Sequence, residues 1–213
     1  KPFEWMRDAA ANGSIGELLS FDVVQPFSDI LTFGPHLVDT ALFTLGAECK
    51  VETIFGAVDW SEAHDWQGVQ QEGQFLGSVH FNDGIRLTIE AGKHNCKKLP
   101  ILRVNGSLGF AELHLQPASD AKSVFRARFA GEPDISSPAT NENFHHSEDP
   151  ALYMKRAAQD ILAALQNGTA TRIDAEEAYR GLEIMLGIYE SARQQRTLVP
   201  PFVINEPPAP PIK

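Results

Sequence analysis

The sequence predicts an α+β fold: an open, mainly antiparallel sheet with helices packed on one face. Three observations predict it. Apolar residues recur at three-to-four spacing near both ends of the chain and at spacing two through its middle. The period-two stretches come as consecutive hairpins, which demand antiparallel pairing. Helices grouped in sequence around a run of strands point to one covered sheet face.

A first helix is expected from Pro2 to Ala11, ended by Asn12-Gly13, with Phe3, Met6, Arg7 and Ala10 along one side. A strand follows over Glu17–Val24. The second helix opens at Gly34-Pro35, because proline suits the first turn, where its missing N–H would be unpaired anyway. Leu37, Ala41 and Leu45 recur every fourth position, with Val38 and Leu42 beside them, and Gly46 stops the helix. A strand is expected at Val51–Val58. SVHFNDGIRLTIE then alternates around Asn82-Asp83-Gly84, a hairpin whose turn needs positive φ. ILRVNGSLGFAELHL repeats the pattern around Asn105-Gly106, and Ser123–Phe129 forms a further strand.

Asp149-Pro150 caps and opens the third helix, which Asn167-Gly168 ends; its apolar face is Leu152, Ala158, Ile161, Leu162 and Leu165. The fourth begins IDAEEAYRG, where Asp174 caps and Glu177 reaches back three residues later. Tyr179, Leu182, Met185, Leu186 and Tyr189 give it an apolar stripe. Residues 1–204 are thus one domain, and 205–213 are a proline-rich, extended tail.

Composition narrows the function. A net charge of −10 over 213 residues argues against nucleic-acid binding, which needs a basic footprint. No stretch is apolar for 18 residues without a charge, so no membrane span is expected. KPFEWMRDAA lacks the apolar core of a signal peptide, and its start without Met is what is expected of a processed or trimmed piece of something longer, or of a start changed by tag removal. Cys49 and Cys96 fit no metal or redox spacing, so reduced thiols and a cytoplasmic setting are expected. There is no G-x-G-x-x-G after a strand and no G-x-x-x-x-G-K-[ST], so no dinucleotide or phosphate cradle is encoded and no cofactor is expected on this chain alone.

The chemistry centres on GPHLVD. His36 falls in the first turn of the second helix, where the positive end of the dipole favours neutral imidazole, the form that accepts a proton. Asp39 lies three residues on, on the same face. A helix N-terminus met by the loop FSDILTFG also suits a small anionic or hydroxyl-rich ligand. The bland alternative is that His36 helps cap the helix while Asp39 complements its dipole. Lys93 and His94 leave the end of a strand, where ligand-facing loops often lie. His80 and His114 occupy the polar phase of strands. His145-His146, beside Glu148 and Asp149, read as a solvated loop, because no third metal ligand has suitable spacing.

Five stretches, in order, resemble the C-terminal half of the Gfo/Idh/MocA oxidoreductases, the glucose–fructose oxidoreductase and inositol dehydrogenase group. They are NGSIGELLSFDV, GPHLVDTALFTLG, VHFNDGIRLTIEAG, VNGSLGFAELHL and GLEIMLGIYESARQQRTLVPPF. The resemblance implies a domain that binds a sugar, cyclitol or related polyol against a nicotinamide held by an N-terminal Rossmann domain, with NAD or NADP serving the full-length parent. It implies that His36 meets the reacting hydroxyl or carbonyl, with Asp39 in support. Gln25, Lys93 and His94 are expected as substrate contacts. The family often has an aspartate four residues before its histidine, where this chain has Thr32; a threonine can orient a hydroxyl but is no carboxylate base. The Rossmann domain and the family's glutamate-lysine-proline motif are missing here, and Lys1-Pro2 is not that motif. Phe110 with Ala111, and Val124 with Phe125, leave neither strand a wholly polar side, so some apolar area is expected on the open face; the resemblance points the same way, to a homodimer or higher homo-oligomer through that face. Thr32 leaves a rival reading: a binding or assembly module that kept the fold and lost the chemistry.

Overall fold

A computed structural model of the chain describes residues 2–26, 29–46, 48–92, 101–116, 123–131, 140–146, 150–171 and 175–204. In chain order the elements are α1 (Pro2–Ala11), β1 (Leu18–Pro26), α2 (Gly34–Leu45), β2 (Val51–Asp59), β3 (His64–Trp66), β4 (Val69–Gln71), β5 (Gln74–Phe81) and β6 (Arg86–Gly92). They continue with β7 (Ile101–Gly106), β8 (Gly109–Gln116), β9 (Ser123–Gly131), β10 (Thr140–His146), α3 (Pro150–Asn167) and α4 (Ala175–Gln194).

Eight strands form one sheet in the order β10-β9-β8-β7-β1-β6-β5-β2, while β3 and β4 make a separate hairpin. Every neighbouring pair is antiparallel except β1 and β6, which run parallel. That exception positions the site. It carries the C-terminal ends of β1 and β6 to the same edge, Pro26 opposite Gly92, and β5 begins there too, Gln74 opposite Gly92.

Strand alternation sends Phe21, Val23, Ile54, Phe75, Val79, Phe81, Leu87, Ile89, Val104 and Leu113 into one core with Met6, Val38, Ala41, Ile184 and Ile188. Helices α1, α2 and α4 cover that face as expected, with α4 lying across β2. The approach is close enough to require glycine. A Cβ at Gly56 would lie 2.0 Å from the Ile188 carbonyl oxygen. The other face is open and carries Phe55, Leu76, His80, Arg86, Thr88 and Glu90. Part of it is knitted together: Asn105 Nδ2 donates to Asp22 Oδ2 (2.6 Å) and to Ser20 Oγ (2.9 Å), and Arg103 Nε donates to Asn105 Oδ1 (2.7 Å). The Arg103 guanidinium also sits 3.8 Å from the Phe110 ring centroid, so Phe110 is only 6% exposed on this side of the sheet.

Several expectations need correction. The β7–β8 hairpin turns at Ser107-Leu108, not at Asn105-Gly106, since Asn105 pairs with Phe110. Gly106 is required for proximity: its Cβ would lie 2.0 Å from the Ile15 carbonyl oxygen. Helix α3 has the expected bounds, but Ala158, Ile161, Leu162 and Leu165 are exposed, and Ala164 is its one buried residue among those described. An amphipathic stripe says that a face seeks an apolar partner, not that this sheet supplies it. Tyr179 and Leu182 are likewise exposed, and burial in α4 begins at Ile184. His145 and His146 close strand β10 and do not lie in a loop. The β3–β4 hairpin was not anticipated. Asp174, Cys96 and the side chains of Leu152 and His114 lie outside the described residues.

Candidate functional site

The edge where β1 and β6 end and β5 begins gathers the β2–β5 connection and, from Asp29 on, the lead into α2. Helix α2 starts at Gly34-Pro35, as the proline dictates, and its N-cap Phe33 makes no side-chain capping bond. The first turn is held by backbone instead: Gly34 N–H donates to the Asp29 carbonyl (3.1 Å) and His36 N–H to the Phe33 carbonyl (3.0 Å). His36 is exposed there, with the Phe33 ring edge-on at 6.3 Å. Asp39 is exposed one turn on. Desolvation pushes its carboxyl pKa up, and charge on His36 pulls it the other way.

The residues before α2 are fixed from three sides. Thr32 N–H donates to Asp29 Oδ1 (2.6 Å), and Gln71 Nε2 donates to Thr32 Oγ1 (2.6 Å). With its oxygen accepting from Gln71, the Thr32 hydroxyl keeps its proton to donate. Behind it Glu72, 1% exposed, accepts from Ile30 N–H on Oε1 (2.6 Å) and from the Tyr189 hydroxyl on Oε2 (2.5 Å). Trp60 stacks on Tyr189 at 6.0 Å. Burial pushes the Glu72 carboxyl up, against hydrogen bonds from Tyr189, Ile30 and its own backbone that favour the charged form. Burial and the carboxylate beside it push the Tyr189 phenol up as well, so Tyr189 is a neutral donor.

The structure therefore brings Thr32, His36 and Asp39 to one edge. Gln25 joins them from the end of β1, half-buried and opposite Ala91. Lys93 and His94 follow Gly92 directly but lie outside the described residues. Sequence reasoning missed Asp29, Gln71 and Glu72. Adjacent polar residues beside a glycine read as surface, and no residue spacing marks a buried acid.

No glycine-rich turn opens a helix among the described residues. The glycines with free space at Cβ are Gly13, Gly46, Gly68, Gly84 and Gly168, which end helices or sit in turns, while the one opening α2, Gly34, would meet Met185 Sδ at 3.3 Å. No group of three His, Cys, Asp or Glu among the described residues is placed to hold a metal ion.

Residues 30–200 match the sequence profile of the oxidoreductase family C-terminal α/β domain of the Gfo/Idh/MocA type. No curated protein matches the chain in sequence. Solved structures match it in shape. An oxidoreductase from Agrobacterium radiobacter, in complex with NAD+, L-tartaric acid and magnesium, has a TM-score of 0.65 at 16% identity, over 93% of this chain and 61% of that one. A levoglucosan dehydrogenase in complex with NADH and L-sorbose gives 0.66 at 15% identity, over 95% and 64%. An aldose–aldose oxidoreductase from Caulobacter crescentus, complexed with glycerol, gives 0.65 at 15% identity, over 92% and 60%. At these identities the likeness establishes the fold. The chain spans about three-fifths of the length of these relatives.

Proposed function

This chain belongs to the C-terminal α/β domain family of the Gfo/Idh/MocA oxidoreductases, and from that premise we propose that it is the substrate-binding part of an NAD(P)-dependent oxidoreductase acting on a sugar, cyclitol or related polyol. The observation that carries the reading is the pairing, at one sheet edge, of an exposed first-turn imidazole with a clamped threonine hydroxyl. His36 takes or returns the proton of the reacting hydroxyl as the carbon it bears is oxidised or its carbonyl reduced. Thr32 donates a hydrogen bond to a substrate oxygen, and Asp39 steadies charge that develops on His36. Gln25, Lys93 and His94 extend the polar contacts. On this reading the dinucleotide is held by a Rossmann domain of the parent protein, as the resemblance to the family implies.

Two further parts of the reading concern the setting. The described residues include no helix long and apolar enough to cross a membrane, and the buried free thiol of Cys49 fits a reducing, cytoplasmic location. Residual apolar area on the open sheet face fits a homodimer formed through it.

The test uses the parent protein with its cofactor domain, assayed with NAD and NADP against sugars and cyclitols. His36→Ala should lower kcat by roughly 10²–10⁴, the usual weight of general acid–base catalysis. A loss under about threefold, far below that range, would overturn the assignment of His36. Thr32, at a position where the resembled family often has aspartate, favours one rival, a binding module without turnover. Polyol binding with no dehydrogenation under any coenzyme would establish that rival.

A further inference from the structure

The β3–β4 hairpin hangs from the same edge. Its turn residues Gln67 (φ 54°) and Gly68 (φ 84°) are both left-handed, the pattern of a tight two-residue hairpin. Asp65 stiffens it: Oδ1 accepts from Gly68 N–H (3.1 Å) and Oδ2 from Gln70 Nε2 (3.4 Å). The register pairs His64 with Gln71, Asp65 with Gln70 and Trp66 with Val69. Alternation then puts His64, Trp66, Val69 and Gln71 on one face, and Asp65 and Gln70 on the other. Gln71 identifies where the first face is turned, because its side chain donates to Thr32 Oγ1.

Burial along that face falls off sharply. Gln71 is 4% exposed, whereas Val69 is 49% and Trp66 53% exposed. One strand step of two residues, about 7 Å, separates Val69 from Gln71. A rigid hairpin thus holds a large aromatic and a branched apolar side chain in water, on the face turned to the Thr32 loop. The core does not use them.

We infer that Trp66, with Val69 beside it, is the apolar platform of the substrate site, stacking on the C–H face of the sugar or cyclitol ring whose hydroxyls meet Thr32 and His36. The inference rests on the polyol reading above. A pyranose or cyclitol ring has hydroxyls at its rim and C–H groups on its faces. The indole face is the negative side of a quadrupole and attracts those C–H groups, while the few polar groups fix orientation. The clamp from Gln71 to Thr32 makes the two halves of the site one unit, so platform and hydroxyl donor keep a fixed separation.

Steady-state kinetics of the parent enzyme with D-glucose, D-xylose and myo-inositol test this. Trp66→Ala should raise KM about ten-fold, equivalent to about 1.4 kcal/mol, with kcat within about threefold of wild type. Trp66→Phe should restore most of the affinity, and Val69→Ala should raise KM less than Trp66→Ala. An unchanged melting temperature of Trp66→Phe, with the polyol-induced change in tryptophan emission lost, would place the contact at Trp66 independently of turnover. Unchanged KM in both Trp66 variants, with His36→Ala still suppressing kcat, overturns the platform and leaves the polyol reading standing. Absence of binding or turnover of all three polyols by the wild type overturns both.

Discussion

Glu72 accepts hydrogen bonds from the backbone before α2 and from the hydroxyl of α4, so one carboxyl joins the site loop to the helix layer. Its pKa is raised above 4.5, foremost by burial. The native state therefore holds the proton more tightly than the unfolded chain does. The stabilisation Glu72 contributes is full below about 4.5 and declines as pH rises through its native pKa. Glu72→Gln cannot ionise, but its carbonyl oxygen still accepts from Ile30 N–H and its amide donates to the Tyr189 oxygen, so it should cost no more than about 1 kcal/mol at low pH. The gap to wild type should narrow towards pH 8 in urea denaturation. Parallel pH profiles for the two proteins would contradict the raised pKa. At this scale the sequence offered the candidate residues but not their support. His36 and Thr32 stand beside a Gly-Pro helix start, which is a local signal. The donor to the Thr32 hydroxyl, Gln71, and the acceptor for Ile30 N–H, Glu72, come from 39 and 42 positions away, and only the fold brings them together.

Elements were legible where local chemistry sets them. Pro35 and Gly46 bound α2, and Asp83 and Gly84 adopt the left-handed turn expected between β5 and β6. Packing between elements was less legible, because a glycine in a strand looks alike whether it bends, turns or admits a neighbour. Gly56 and Gly77 distinguish the cases. A Cβ at Gly56 meets the backbone oxygen of Ile188 at 2.0 Å, whereas one at Gly77 meets the end of the Ile188 side chain at 2.4 Å. Backbone must move as a helix, but a side chain can turn. Gly56→Ala should therefore cost at least about 2–3 kcal/mol, the upper range for overpacking, and Gly77→Ala about 1 kcal/mol. Denaturant midpoints of the two variants compare them directly. Equal costs would mean that α4 is not pressed on β2 as tightly as the structure has it.

At the scale of the whole molecule, hairpin order in the sequence specifies most of the sheet but not where β1 enters it. The parallel pairing of β1 with β6, between segments more than sixty residues apart, creates the edge that holds the site. The one-sided helix layer, by contrast, followed from grouping, and its consequence is an uncovered face. An antiparallel sheet tolerates water on a polar face. Here the half around β1, β7 and β8 is sealed by the Asp22–Asn105–Arg103 network, with Arg103 over Phe110. The half around β2 and β5 is not. Phe55 and Leu76 are exposed on the same side, diagonal neighbours across the strand pair, with Phe55 opposite Ser78 and Ala57 opposite Leu76. A two-fold axis over this half would set each apolar pair against its copy, and self-complementarity is met because Arg86 and Glu90 supply both signs of charge. A stable contact of this kind covers roughly 800 Å² per partner. Light scattering after gel filtration at tens of micromolar should give twice the mass of the chain. Phe55→Asp with Leu76→Asp should give the single mass without loss of melting temperature, since each substitution enters a two-fold interface twice as like charge while leaving the helix-side core untouched. A monomeric mass for the unaltered chain would defeat the dimer. It would mean that the exposed half of the sheet is left to water.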